Sequence, residues 1–359
     1  FGHVPHRELP VLRRLLQPLE ETLALFLFAP AWGALADRID RRWVLIAGLA
    51  GSSAALWAVT GSLGLRGLYA ARAIAGLTSA AVLPAVVAYV VTASAPSRLQ
   101  RRFAWIASAT ALGFLLGPAL GDGLAAPILS VGGHGAISAL ALHVVAVVGL
   151  VAAAGVLTLP VNRAVPSGSD GAPPGDERRI ARWLLLTAVV VLAITVAEVG
   201  ATLAARRAPA ADGWPVSLYF ALCSGVMIAV QFWARPPLDR RLGGPRLVVA
   251  ALLVLSAGLA LLAGSNGRGV TAAAFVLAAA GIGVLIPSLA VRISSAAGTR
   301  QGWAMGRQAA AANLGQAVGA AATGSLFALA PPLPFLIAGG LTALAAGAAA
   351  WEGAARRMP

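Results

Sequence analysis

Gly33-Ala34-Leu35-Ala36-Asp37-Arg38-Ile39-Asp40-Arg41-Arg42 lies between two long apolar runs, 19–36 and 43–63. The turn places two acids and three arginines in a connection too short to be a domain. Each flanking run approaches the roughly 20 residues that carry a helix across a bilayer. The reading of the whole chain follows from that alternation of apolar span and charged turn.

The chain has 359 residues, 59% of them hydrophobic and only 11% charged. Soluble domains carry about 25% charged residues, so this much apolar surface points to a polytopic membrane protein. The net charge of +14 does not point to nucleic acid. The basic residues are dealt out in small groups between apolar runs and do not form a patch. All 27 of them are arginine, which we read as a bias of genome composition. The single cysteine, Cys223, allows no internal disulfide. Phe1–Pro18 is polar and proline-punctuated, without the apolar core of a signal peptide. No phosphate-binding Gly-x-x-x-x-Gly-Lys-Ser/Thr loop, His/Cys metal cluster or nucleophile elbow is present, so no cofactor, metal or catalytic residue is expected.

Read with the same ruler, the chain offers further spans at 68–94, 103–125, 136–160, 182–205, 215–235, 246–264, 270–291, 303–329 and 333–351, about eleven in all. Trp43, Trp105, Trp183, Trp214, Trp233, Trp303 and Trp351 fall near their ends, as an interfacial aromatic belt requires. Arginines concentrate on the side of the 33–42 turn, for example Arg98, Arg101 and Arg102, then Arg240, Arg241 and Arg246, then Arg356 and Arg357. The other side holds Arg7, Arg13, Arg14, Arg66, Arg206, Arg207 and Arg268. The positive-inside rule then places the 33–42 turn and the C-terminus in the cytoplasm. The expected location is the inner (plasma) membrane, multi-pass, with the lipid bilayer as a partner. An external N-terminus before the first visible span is awkward, and the expectation is that one helix of a twelve-helix protein precedes this sequence.

Residues 161–181 read as a flexible polar linker through Pro166, Gly168, Pro173 and Pro174. It divides the chain into an N-terminal bundle, 1–160, and a C-terminal bundle, 182–359. A faint repeat relates the two. Leu35-Ala36-Asp37-Arg38 is echoed by Pro237-Leu238-Asp239-Arg240-Arg241, and Val82-Leu83-Pro84 by Leu285-Ile286-Pro287. The expected fold is therefore all-α, with two pseudo-symmetric helical bundles, an architecture used by transporters.

The turn Gly33-x-Leu35-Ala36-Asp37-Arg38-x-x-Arg41-Arg42 resembles the loop signature of the major facilitator superfamily, with Asp40 where that family usually has glycine. Gly113-x-x-x-Gly117-Pro118-x-x-Gly121 is similar to the fifth-helix motif of its drug/proton antiporter branch, and Arg72-x-x-x-Gly76-x-x-x-Ala80 to its fourth-helix motif. The resemblance implies that Gly33, Asp37, Arg38, Arg41, Arg42, Asp239 and Arg240 form gating loops that break and reform as the transporter switches sides. Physically, Asp37 at a helix end can pair with the arginines or face the positive end of a neighbouring helix. Gly113, Gly117 and Gly121 stand four apart and let helices approach closely, while Pro118 removes a backbone hydrogen bond and kinks its helix.

Charges inside spans are costly and usually face a cavity or a partner. Arg72 has two readings, pairing with a proton-carrying site or snorkelling to the interface. Glu198 is the only ionisable residue between Trp183 and Arg206. It reads as a proton or cation site, with a structural hydrogen bond as the rival. Asp122 is a weaker cavity candidate. His143 reads as a group that titrates near neutrality or as hydrogen-bonded structure, and Gln231 and Asn313 as polar groups that line a cavity or join helices.

The expected function is proton-coupled efflux of a small hydrophobic or drug-like molecule by alternating access. The partners are then a small-molecule substrate and protons, with the chain acting as a monomer. A sugar or metabolite facilitator is the alternative within transport. A membrane-embedded transferase acting on lipid-linked substrates is the alternative from another class; such enzymes generally need clustered acids, and the only close acid pairs here are Glu20-Glu21, Asp37/Asp40 and Asp176-Glu177, the last in the linker.

Overall fold

The computed structural model describes residues 25–61, 64–95, 98–99, 101–113, 116, 133–161, 176–207, 216–265, 267–298 and 300–355. Among these residues there are helices and turns and no strand. The helices are α1 (Leu25–Ala36), α2 (Arg41–Thr60), α3 (Gly64–Ser79), α4 (Val82–Thr92), α5 (101–113), α6 (Gly133–Val156) and α7 (Glu177–Arg207). They continue as α8 (Val216–Ala229), α9 (Arg235–Leu242), α10 (Gly244–Ala263), α11 (Arg268–Ala297), α12 (Gln301–Leu329) and α13 (Leu333–Ala355). Seven described segments are long and apolar enough to cross a membrane. The spans expected from hydropathy each overlap a described helix or helix pair, those at 19–36 and 103–125 lying partly outside the described residues. The all-α, polytopic fold class is thus as the sequence implied.

Local chemistry sets several boundaries. Pro84 has no N–H for the Ala80 carbonyl and its ring crowds that carbonyl. The helix accordingly breaks at Ala80 and Ala81 and restarts as α4. Its sequence echo, Pro287, is instead carried inside the uninterrupted α11. Between α8 and α9 the helix widens to a π turn, Val230–Ala234. Pro236 and Pro237 follow immediately and withhold the N–H groups that Phe232 and Trp233 would accept in α geometry. α7 starts at Glu177, earlier than the expected end of the linker, because the Asp176 carboxylate accepts the Arg179 N–H (3.0 Å) as an N-cap.

The described chain forms two compact units. The first takes Phe1–Ala93, Gly123–Gly175 and Ala297–Ala317. Here α2 packs against α3, α4 and α6, and buried Ala36, Val44, Leu45, Ala81 and Ala85 form a cluster with Trp32 at its edge. Trp32 Nε1 donates to the Leu77 carbonyl at 2.7 Å. The second unit takes Ser94–Asp122, Asp176–Ala296 and Val318–Pro359. Its core is built from Leu252, Leu255 and Leu259 of α10, Phe275, Leu285 and Leu289 of α11, and Phe335 of α13.

Lipid tails are as apolar as leucine, so burial alone does not drive such helices together and close packing must. Gly258 and Gly281 supply it. A Cβ on Gly258 would sit 2.6 Å from Ala278 N, and one on Gly281 2.7 Å from Ala251 O. Large apolar side chains remain on the outside, among them Trp233 (74% exposed) and Trp351 (76%), at the helix ends where an aromatic belt lies.

Candidate functional site

The turn after α1 is held at both of its acids. Asp40 is the N-cap of α2: its Oδ1 accepts the Arg42 N–H at 3.1 Å, and its Oδ2 lies 2.9 Å from Arg42 Nη2. The departure from glycine at this position is therefore a helix cap with its own arginine partner. Arg42 Nη1 in turn donates to the Leu159 carbonyl (2.9 Å), tying the segment after α6 to the same turn, and Tyr89 Oη of α4 donates to the neighbouring Pro160 carbonyl (3.2 Å).

Asp37 reaches further. Its Oδ1 accepts the N–H of Gly302 (2.7 Å) and its Oδ2 that of Trp303 (2.8 Å). These are first-turn donors of α12, which have no partner within their own helix. The carboxylate thus caps a helix far away in sequence and meets the positive end of its dipole. Arg41, 2% exposed, sits behind it with Nη2 3.7 Å from Asp37 Oδ1 and Nη1 3.4 Å from Thr92 Oγ1. Arg38 is exposed.

Glycines make the approach possible. Gly33 and Gly302 face one another, and a Cβ on either would overlap the other's backbone oxygen. A Cβ on Gly306 would strike the Ala29 carbonyl. Ala29 and Gly33 on α1 therefore meet Gly302 and Gly306 on α12, small residues four apart on both helices. Arg300 and Arg307 stack on Trp303, with their guanidinium carbons 4.6 and 4.7 Å from its ring centroid.

In the second unit Glu198 lies half-buried on α7. It has no ion pair among the described residues, and Cys223 on α8 is within its electrostatic reach. Gln231, in the π turn, is 3% exposed and accepts the Ser108 hydroxyl of α5 at 2.7 Å. Asp239 and Arg240 lie on α9, half-buried and exposed respectively.

This arrangement of a capped, glycine-lined helix junction within a bundle of apolar helices has a counterpart in sequence. Residues 22–302 match the family described as Major Facilitator Superfamily. The chain belongs to the major facilitator superfamily. Members of this superfamily are multi-pass membrane transporters of small molecules and are generally not enzymes. The fold of this superfamily member is similar to that of the human organic anion transporter MFSD10 (TETRAN), with TM-score 0.75 and 22% identity over 93% of this chain and 83% of that one. It is also similar to the major facilitator transporter FucP in the outward conformation, with TM-score 0.71 and 15% identity over 98% and 91% of the two chains. A structure of the E. coli fucose:proton symporter FucP gives TM-score 0.70 and 16% identity over 96% and 92%. No curated protein matches the chain in sequence.

Of the residues singled out from the major facilitator motifs, Gly33, Asp37, Arg41 and Arg42 meet in one turn. Arg72, half-buried on α3, belongs to the first unit and Glu198 to the second. A Cβ on Gly113 would meet no described atom within 4 Å. Gly117, Pro118, Gly121 and Asp122 lie outside the described residues. His143 Nε2 lies 3.2 Å from Thr60 Oγ1, a hydrogen bond between α6 and α2. Sequence reasoning missed Gly302, Gly306 and the capping role of Asp40. An Asp immediately before an apolar-periodic run was the available signal for the last.

Proposed function

We propose that this protein is a proton-coupled exporter of small hydrophobic molecules that works by alternating access. The observation that carries the reading is the Asp37 clasp on α12. It is made of two charge-assisted hydrogen bonds between groups that stand far apart in the chain, backed by a long ion pair from Asp37 to Arg41 within the same turn. Such bonds are strong when formed, and solvent can replace both partners when they part. A glycine-lined junction without interlocking side chains can separate and close again without repacking a core. That suits a gate that works once per cycle.

Proton coupling is assigned to Glu198, with Arg72 and Asp122 as further groups on the coupling path. A half-buried carboxylate without a counter-ion among the described residues gains or loses a buried charge with each proton, so its protonation biases which state is favoured. Export in place of uptake rests on the resemblance of Gly113, Gly117, Pro118 and Gly121 to the antiporter motif. In this reading residues 1–160 and 182–359 are the rocking bundles, joined by a linker at 161–181. The gating loops are Asp37-Arg38 and Asp239-Arg240. The chain acts as a monomer in the inner membrane with its C-terminus in the cytoplasm.

The experiment is uptake of a fluorescent hydrophobic dye into proteoliposomes under an imposed pH gradient. Dye movement opposite to the proton gradient, abolished by dissipating the gradient, supports antiport. Movement in the direction of proton flow would favour the symport named for FucP, and gradient-independent movement would favour a facilitator.

A further inference from the structure

The C-terminal echo of the opening turn departs from it at one place. Aligning Asp37 with Asp239 puts Arg235 where the first copy has Gly33. Gly33 is the point of backbone contact with α12. The second copy therefore cannot make the same close approach, and a guanidinium takes that place.

Arg235 is 5% exposed, its Nε has no hydrogen-bond partner, and no ion pair to it is found among the described residues. Burying an unpaired guanidinium is costly, and such groups are ordinarily matched by an anion. The charges around it do not balance. Arg292 of α11 and Asp239 lie within electrostatic reach of Arg235, and Arg179 of α7 and the same Asp239 lie within reach of Arg292. Arg235 and Arg292 thus share one carboxylate while Arg179 adds a further positive charge, and Asp239 has its own contacts to satisfy.

The neighbouring groups are donors as well. Trp183 Nε1 is buried without an acceptor. Arg292 stacks on the Trp183 ring, its guanidinium carbon 4.9 Å from the centroid, which leaves the edge of the guanidinium free to donate. Gly244 makes room for it: a Cβ there would stand 2.8 Å from Arg292 Nη2 and 3.9 Å from Asp239 Oδ1.

We propose that Arg235, Arg292 and Trp183 form a binding site for a phosphate oxyanion, free or as a phosphodiester headgroup, at the arginine-rich end of α7, α9 and α11. Phosphate suits a site of planar forks and a single indole N–H, because it accepts from several directions at once. The site is separate from the proposed proton site, since Trp183 precedes Glu198 on α7 by about 22 Å of helix. The same chemistry is offered by an anionic phospholipid at the bilayer surface and by free phosphate in solution.

The test is thermal unfolding of the purified full chain. It is measured in neutral detergent with increasing inorganic phosphate, and in nanodiscs of phosphatidylcholine with and without phosphatidylglycerol. Equal ionic strength is kept with chloride. A ligand that binds only the folded state raises the melting temperature with its concentration. The expected result is such a rise from at least one source, lost in Arg235→Gln and in Arg292→Gln and retained in Arg241→Gln, an exposed arginine on the same helix. Stabilisation by phosphate in detergent identifies a soluble oxyanion. Stabilisation by phosphatidylglycerol alone identifies a lipid headgroup. If Arg235→Gln does not fold, Arg292→Gln and Trp183→Phe carry the comparison. The proposal is overturned if neither source stabilises the natural chain more than chloride does, or if the folded variants respond as the natural chain does.

Discussion

Asp37 Oδ2 lies 2.8 Å from the backbone nitrogen of Trp303, so a carboxylate at the end of α1 closes the first turn of α12. The same carboxylate accepts from Gly302 and stands before the buried Arg41. One side chain therefore joins two segments that the chain separates by some 265 positions.

Asp37→Asn keeps one acceptor oxygen, turns an amide toward the other N–H and removes the charge that meets the helix dipole. Hydrogen bonds to charged groups contribute about 1.5–3 kcal/mol. The variant should lose about that much at this junction, with a lower melting temperature and transport reduced at least tenfold. Transport equal to the natural protein's would show that the clasp is not part of the cycle.

Gly306→Val places a branched side chain against the Ala29 carbonyl and should prevent α1 and α12 from meeting. Gly324→Ala, on the same helix with nothing near its Cβ, should be neutral or slightly stabilising through helix propensity. Dye transport and membrane abundance measured for both variants decide the matter. Equal behaviour of the two would show that the approach at Gly306 does not matter.

Asp40→Ala removes the N-cap of α2 and should cost about 1 kcal/mol, whereas Asp40→Gly should cost only a few tenths through the cap itself. Both also lose the Arg42 pair, which a thermal melt at low and high salt separates, since only the ion pair is screened. A melting temperature unchanged in Asp40→Ala would remove the cap from the account of this turn.

Ser108→Ala leaves the buried Gln231 carbonyl oxygen without its 2.7 Å donor. An unsatisfied buried group costs about 1–3 kcal/mol. Gln231→Leu in the same background should recover most of that loss, because both partners are then apolar. A double variant as unstable as the sum of the two single ones would argue against direct coupling.

The spans were legible because apolar length is a one-dimensional property. Arg41-Thr60 and Gly244-Ala263 needed no partner to be recognised. The junction was legible only on one side. Asp37 announced that it would face either arginines or a helix start, and it does both, but nothing near Gly302-Trp303 says which acid will arrive there. Nothing in the sequence sets Arg235 apart from the exposed arginines that follow it. Its burial follows from the π turn and the two prolines beside it, a local geometry that hydropathy does not encode.

Proton coupling is the central functional claim, and Glu198 is the group to which it is assigned. The direct measurement is dye transport in proteoliposomes containing the natural chain or Glu198→Gln, with and without an imposed pH gradient. The account predicts gradient-driven transport by the natural chain, and none by Glu198→Gln, which should still exchange dye across the membrane when dye is present on both sides. Gradient-driven transport by Glu198→Gln at the natural rate would contradict it.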